Sequence, residues 1–155
     1  MTKKEESGRK VIASNRKAFR DYHVLERIEA GLALVGTEVK SLREGKASLA
    51  DSYAGVDGEE AFLYNLHIPP YECGNRFNHD PIRTRKLLLH KREIRRVLGR
   101  STERGLTIIP LSIYFVGGRV KVELAIARGK RTYDKREALA RESALREIQR
   151  EIRRR

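Results

Sequence analysis

The sequence predicts a mainly β fold: a small closed antiparallel barrel of about six strands, with two or three short helices and a basic C-terminal tail. Three observations predict it. Apolar residues recur at a period nearer two than 3.6, as in Val120, Val122, Leu124 and Ile126. Tight-turn signals, Asp57-Gly58 and Gly117-Gly118, separate such runs. After Gly129 the alternation gives way to mixed Arg and Glu. A chain of 155 residues has room for one core and a tail.

Taken in order, Ser14 is expected to cap a short helix through "NRKAFRD". "YHVLERIEAGLALVG" reads as two strands meeting at Gly31, with Tyr22, Val24, Glu26 and Ile28 on one side. "TEVKSLREGK" predicts a short helix ended by Gly45. "SLADSYAGV" and "EEAFLYNLHI" form a hairpin about Asp57-Gly58. Residues 69–81, with three prolines, make a long loop. "RTRKLLL" is a strand with basic flanks, and two of its three leucines are expected in the core. "HKREIRRVLGR" is a helix whose Ile94, Val97 and Leu98 lie beneath an arginine face. "LTIIPLSIYFV" and "RVKVELAIA" close the core, Pro110 marking a break or an edge position. A closed barrel removes exposed strand edges, and the oligonucleotide-binding type is the nearest model. The chain divides into a flexible basic N-terminus (1–12), the barrel domain (13–129) and the tail (130–155).

Charge is the unusual part of the composition: net +13, with 35% charged and 6% aromatic residues. It is patterned. Residues 1–20 carry seven Lys and Arg against two Asp and Glu, 21–75 four against ten, 76–100 nine against two, and 130–155 ten against five. Two basic ends and a basic central block around an acidic stretch suit a polyanionic partner, because neutralising phosphates releases condensed counterions. An anionic membrane surface is the competing partner, but no apolar run reaches spanning length and no signal peptide is present, so a cytoplasmic protein is expected.

Chemistry-bearing constellations are missing. His23, His67, His79 and His90 do not pair at metal-ligand spacing, and Cys73 is the only cysteine, so neither a metal nor a cofactor is expected. Glu29, Glu38 and Asp51 are isolated carboxylates, better read as solvated or paired with Arg than as an acid–base set. No phosphate-binding Gly-rich loop follows a strand. The positive signals are basic: Arg83, Arg85 and Lys86 beside three leucines, and Lys40 and Arg43 at helical spacing. From Asp134 onward Glu–Arg pairs at i, i+4 favour a helix, but Leu145, Ile148 and Ile152 make only a thin stripe. The tail is therefore expected to stay disordered or detached until a polyanion orders it.

Four stretches in order, "NRKAFRDY" (15–22), "EAGLALVGTEVKSLREGKASLADSY" (29–53), "DPIRTRKLLL" (80–89) and "GKRTYDKR" (129–136), resemble the small protein B, or SsrA-binding protein, family. The resemblance implies a non-enzymatic barrel that binds the tRNA-like domain of transfer-messenger RNA and brings it to stalled ribosomes. It places Asn15, Lys17, Glu29 and Leu88 at the RNA face, with Lys40, Arg43, Arg83, Arg85 and Lys86 as phosphate partners. It implies that Gly129, Lys130, Arg131, Tyr133, Asp134, Lys135 and Arg136 enter the decoding centre of the small subunit, followed by a helix in the empty messenger channel. Tyr133 stands where other members often carry His, so stacking is kept and a positive charge is not. A monomer is expected. The alternative reading is a general structural RNA-binding or ribosome-associated protein.

Overall fold

A computed structural model describes residues 8–73, 78–103, 105–130 and 132–154, and for residues 132–135, 137 and 138 the backbone alone. Its strands are β1 (Arg9–Ser14), β2 (Tyr22–Leu32), β3 (Tyr53–Asp57), β4 (Glu60–Tyr64), β5 (Arg85–Leu88), β6 (Leu106–Val116) and β7 (Arg119–Gly129). Its helices are α1 (Arg16–Asp21), α2 (Gly36–Arg43), α3 (Lys91–Ser101) and α4 (Thr132–Arg154). Every strand pairing is antiparallel. Following hydrogen-bonded neighbours, β6, β3, β4, β5, β2 and β7 run in sequence and β7 returns to β6, so six strands close a barrel. β1 is a seventh strand, laid on the outer half of β6 between Ser112 and Val116.

Alternation explains the core. Val120, Val122, Leu124 and Ile126 of β7 all point inward and are buried. They meet Ile28 of β2, Leu63 of β4, Leu87 of β5 and Ile108 and Ile113 of β6 in one cluster. Burying each such side chain contributes about 1.5–3 kcal/mol. Val97 of α3 is buried and Ile94 packs against the same cluster, whereas Leu98, expected in that stripe, is exposed. The β6–β7 hairpin turns at Gly117 and Gly118, φ +54° and +81°. Two successive positive φ values suit the right-handed twist of the strands and favour glycine at both positions.

The structure departs from the sequence expectations at five places. Residues Arg9–Ser14 are a strand on β6, so the expected flexible N-terminus ends sooner than position 12. Ser14 closes β1, and Asn15 takes the N-cap position of α1 without a side-chain capping bond. Instead the Asn15 N–H donates to the Leu111 carbonyl at 2.7 Å and its amide Nδ2 to the Pro110 carbonyl at 3.1 Å. Residues 22–32 form one strand rather than two: Gly31 pairs with Leu88 on one side and Lys121 on the other, and the irregularity falls between Val24 and Glu26. Pro110 lies inside β6, a strand paired on both sides, so it is not at an edge. Its missing N–H is absorbed by a register shift between Pro110 and Ser112.

The fifth departure is the tail. Expected to be ordered only by a polyanion, it forms the helix α4, because Ala, Glu, Arg and Leu favour helix and Glu142 pairs with Arg146 at i, i+4, 2.8 Å apart. The thin stripe is as expected: Leu139, Leu145, Ile148 and Ile152 are between 43% and 68% exposed.

Candidate RNA-binding surface

The surface begins with the alternation of β5. Arg85 and Leu87 point inward and are buried; Lys86 and Leu88 point outward. Among the three leucines this singles out Leu88, 53% exposed against 1% for Leu87, while Leu89 packs on the core edge. Gly31 makes room for it, since a Cβ there would stand 3.1 Å from the Leu88 Cβ.

Leu88 lies in a groove between β5, the first turn of α3 and the β2–β7 ladder. Around it stand Glu29, Lys86, Lys91, Arg119 and Lys121. An apolar side chain ringed by cations can pack on an unstacked base while the cations meet phosphate, which is how single-stranded or looped RNA is held. Lys86 pairs with Glu60 at 3.1 Å, both side chains about half exposed. Such a surface pair stabilises by at most about 1 kcal/mol and yields readily to a phosphate. Lys91, Arg119 and Lys121 escaped sequence reasoning. Lys121 was legible as the outward position between inward Val120 and Val122.

Glu29 reaches the groove from β2 with its side chain 41% exposed. The Tyr114 hydroxyl donates to its Oε2 at 2.5 Å, and the Arg9 guanidinium bonds the same oxygen at 3.2 Å. Lys17 and Arg43 are exposed on α1 and α2, and exposed Lys40 holds its Nζ 5.6 Å from the centre of the Tyr71 ring. Asn15 is half-buried, its amide engaged with the β6 backbone.

Two expected phosphate partners have other work. Arg85 has no exposed side-chain surface and bonds the Glu38 carboxylate, which is likewise fully buried. Its guanidinium also donates to the carbonyls of Leu66, at 2.5 Å, Arg83 and Pro81. A side chain so enclosed cannot reach a phosphate, so Arg85 is withdrawn from the binding surface. Arg83 bonds the other oxygen of Glu38 at 2.5 Å and keeps about a third of its side chain exposed. Burial alone raises the pKa of Glu38, but the bonds from Arg83, the Val35 N–H and Arg85 outweigh it and hold the carboxyl below the ordinary carboxylate range. Glu38 is therefore a counter-ion, which accounts for one of the isolated carboxylates. Sequence reasoning missed this because charge alone does not show which face of a strand an arginine takes.

At the root of the tail, Gly129 ends β7 opposite Tyr22. Lys130 then donates its N–H to the Asp21 carbonyl at 2.8 Å and its Nζ to the Phe19 carbonyl at 3.1 Å. The tail is thus tied to α1 at its first residue. Arg131 lies outside the described residues, as do the side chains of Tyr133, Asp134 and Lys135; Arg136 is exposed. Among the described residues no group of three or more His, Cys, Asp or Glu is placed to hold a metal ion, and no helix is long and apolar enough to cross a membrane.

Known proteins align with this arrangement over most of its length. The family model described as SmpB protein matches residues 12–154. SsrA-binding proteins of Carboxydothermus hydrogenoformans and Nocardia farcinica are 58% and 60% identical, over 93% and 100% of this chain and 97% of each relative. That of Acidothermus cellulolyticus is 61% identical over 97% of this chain and 94% of its own length. A solved structure presented as "tmRNA-SmpB: a journey to the center of the bacterial ribosome" superposes with a TM-score of 0.67 at 53% identity, covering 82% of this chain and 93% of that one. The chain belongs to the SmpB family of SsrA-binding proteins.

Proposed function

We propose that this chain is the RNA-binding adaptor of trans-translation: it binds the tRNA-like domain of transfer-messenger RNA and delivers that RNA to stalled ribosomes. The observation that carries the reading is the Leu88 groove, an exposed leucine ringed by Lys86, Lys91, Arg119 and Lys121 with the Glu29 carboxylate among them, on a family barrel. Leu88 packs on a splayed base. Lys86, together with Lys17, Lys40, Arg43 and the exposed part of Arg83, meets phosphates, while Asn15 borders the contact from the start of α1. Glu29 accepts from base or ribose donors, which no lysine can do.

In this reading the segment Gly129, Lys130, Arg131, Tyr133, Asp134, Lys135 and Arg136 enters the decoding centre, and α4 follows the empty messenger channel. The ring of Tyr133 stacks there on a base. The protein acts as a cytoplasmic monomer and turns over no substrate; its work is positioning, using the barrel for one RNA and the tail for another.

Competition binding tests this. Transfer-messenger RNA should displace a labelled tRNA-like domain far better than ordinary tRNA does at moderate salt, where sequence-independent phosphate contacts weaken. Equal competition by ordinary tRNA would leave only a general RNA-binding protein.

A further inference from the structure

The Glu29 carboxylate is held more tightly than a surface acid needs to be. Glu29 and Glu123 face each other directly across the β2–β7 ladder, where like charges repel. The counter-charge comes from the N-terminal strand. Arg9 of β1 places Nη2 3.2 Å from Glu29 Oε2 and Nη1 3.7 Å from Glu123 Oε2, while Arg27 takes Glu123 Oε1 at 3.1 Å. From β6 the phenol of Tyr114, a residue only 1% exposed, donates to the same Glu29 Oε2, and the Arg9 guanidinium carbon lies 4.6 Å from the centre of the Tyr114 ring. Burial first, and then the bond to Glu29, push the Tyr114 pKa well above its ordinary value. The phenol therefore stays a donor throughout the physiological range, and the direction of the bond is fixed.

Two donors thus converge on Oε2, whereas Oε1 has no donor among the described residues. A free glutamate on a strand samples several rotamers; this one is fixed from two neighbouring strands. We propose that Tyr114 and Arg9 are positioning residues for RNA recognition, locking Glu29 so that Oε1 stands in the groove as a preorganised acceptor for a base or ribose donor. The inference rests on the reading of the groove as an RNA site. Preorganisation raises affinity by removing the ordering cost at the moment of binding. A carboxylate repels phosphate, so the gain goes to recognition and leaves general polyanion binding unchanged.

The test is binding of the tRNA-like-domain RNA to the full chain and to Tyr114→Phe, Arg9→Gln, Arg9→Lys, Glu29→Ala and the Tyr114→Phe/Glu29→Ala double variant, at salt low enough to measure every affinity. Losing a hydrogen bond to a charged group predicts about tenfold weaker binding for Tyr114→Phe. Arg9→Gln is expected to lose about threefold, most of it restored in Arg9→Lys, which keeps the counter-charge. The dependence of log affinity on log salt keeps its slope in Tyr114→Phe, since no phosphate contact is lost. In the Glu29→Ala background Tyr114→Phe adds less than about twofold, because nothing is left to position. Equal losses in both backgrounds, a flattened salt slope, or Tyr114→Phe binding within about twofold of the parent would each overturn the proposal. Failure of the underlying reading has a different signature: the parent chain itself would not prefer the tRNA-like domain over ordinary tRNA.

Discussion

The barrel wall and α4 are both basic and are held in opposite ways. Around β5 every outward residue has an inward neighbour that fixes it: Leu88 sits on a strand anchored by Leu87, and Lys86 beside a buried Arg85 clamped by Glu38. In α4 the large apolar side chains Leu139, Leu145, Ile148 and Ile152 are exposed, and the tie to the barrel lies at its root, through Lys130. The difference teaches where recognition energy comes from. A groove built on a core can present a leucine and a carboxylate at set positions, which suits reading a folded RNA. A helix that packs on little of its own chain supplies charge and reach, about 34 Å of it at the usual helical rise, which suits a channel formed by something else.

The largest effect expected from breaking this contrast is at Glu38. Glu38→Ala leaves a fully buried guanidinium without its counter-ion, a change that costs about 3–5 kcal/mol in comparable pairs, read as a fall in the urea midpoint. The pH dependence has a definite sign. The folded pKa of Glu38 lies below the ordinary value of 4.5, so its contribution is fully present above that value and is lost as pH falls from there through the folded pKa. The parent should lose stability across that acid range more steeply than the variant. Equal acid sensitivity would mean that the pair contributes nothing to holding the wall.

A smaller and more selective effect separates the two faces of β5. Leu88→Ala should weaken binding of the tRNA-like domain by about 1–3 kcal/mol, the scale of one lost base contact, while changing stability by less than about 0.5 kcal/mol. Leu87→Ala should instead lose about 2–5 kcal/mol of stability through a core cavity. If Leu88→Ala melted like Leu87→Ala, Leu88 would belong to the core and the groove would lose its centre.

That pair also shows what was legible in the sequence. Alternation separated Leu88 from Leu87 and set Val120 to Ile126 inward, because a period of two is a property of the chain itself. The hairpins followed from Asp57-Gly58 and Gly117-Gly118 for the same local reason. What escaped depends on contacts distant in sequence. Arg85 read as a phosphate ligand because its partner, Glu38, lies 47 residues earlier. β1 was missed because a six-residue basic segment becomes a strand only when β6 offers an edge beside the Pro110 irregularity. Asn15 belonged to a recognised motif, yet its bonds to the Pro110 and Leu111 carbonyls depend on that same irregularity. The tail was legible as helix and as a thin stripe; that it would stand as a helix was not, because propensity and ion pairs of a few tenths of a kcal/mol each leave a charged helix close to balance.

The smallest effect on folding, and the sharpest test of the contrast, is removal of residues 130–155. Since the large apolar side chains of α4 are exposed, the truncated chain should unfold within about 1 kcal/mol of the parent, the loss being confined to the two Lys130 bonds. Its affinity for the tRNA-like domain should change little, because Leu88, Glu29 and the cations around them are all retained. Tagging of stalled chains in cells should nevertheless disappear. Tyr133→Ala is the single-residue form of the same experiment, expected to impair tagging while RNA binding persists, since it removes one stacking ring and no barrel contact. Were truncation to lower RNA affinity and tagging in parallel, the tail would be part of the RNA grip, and the barrel would not be a self-sufficient reader.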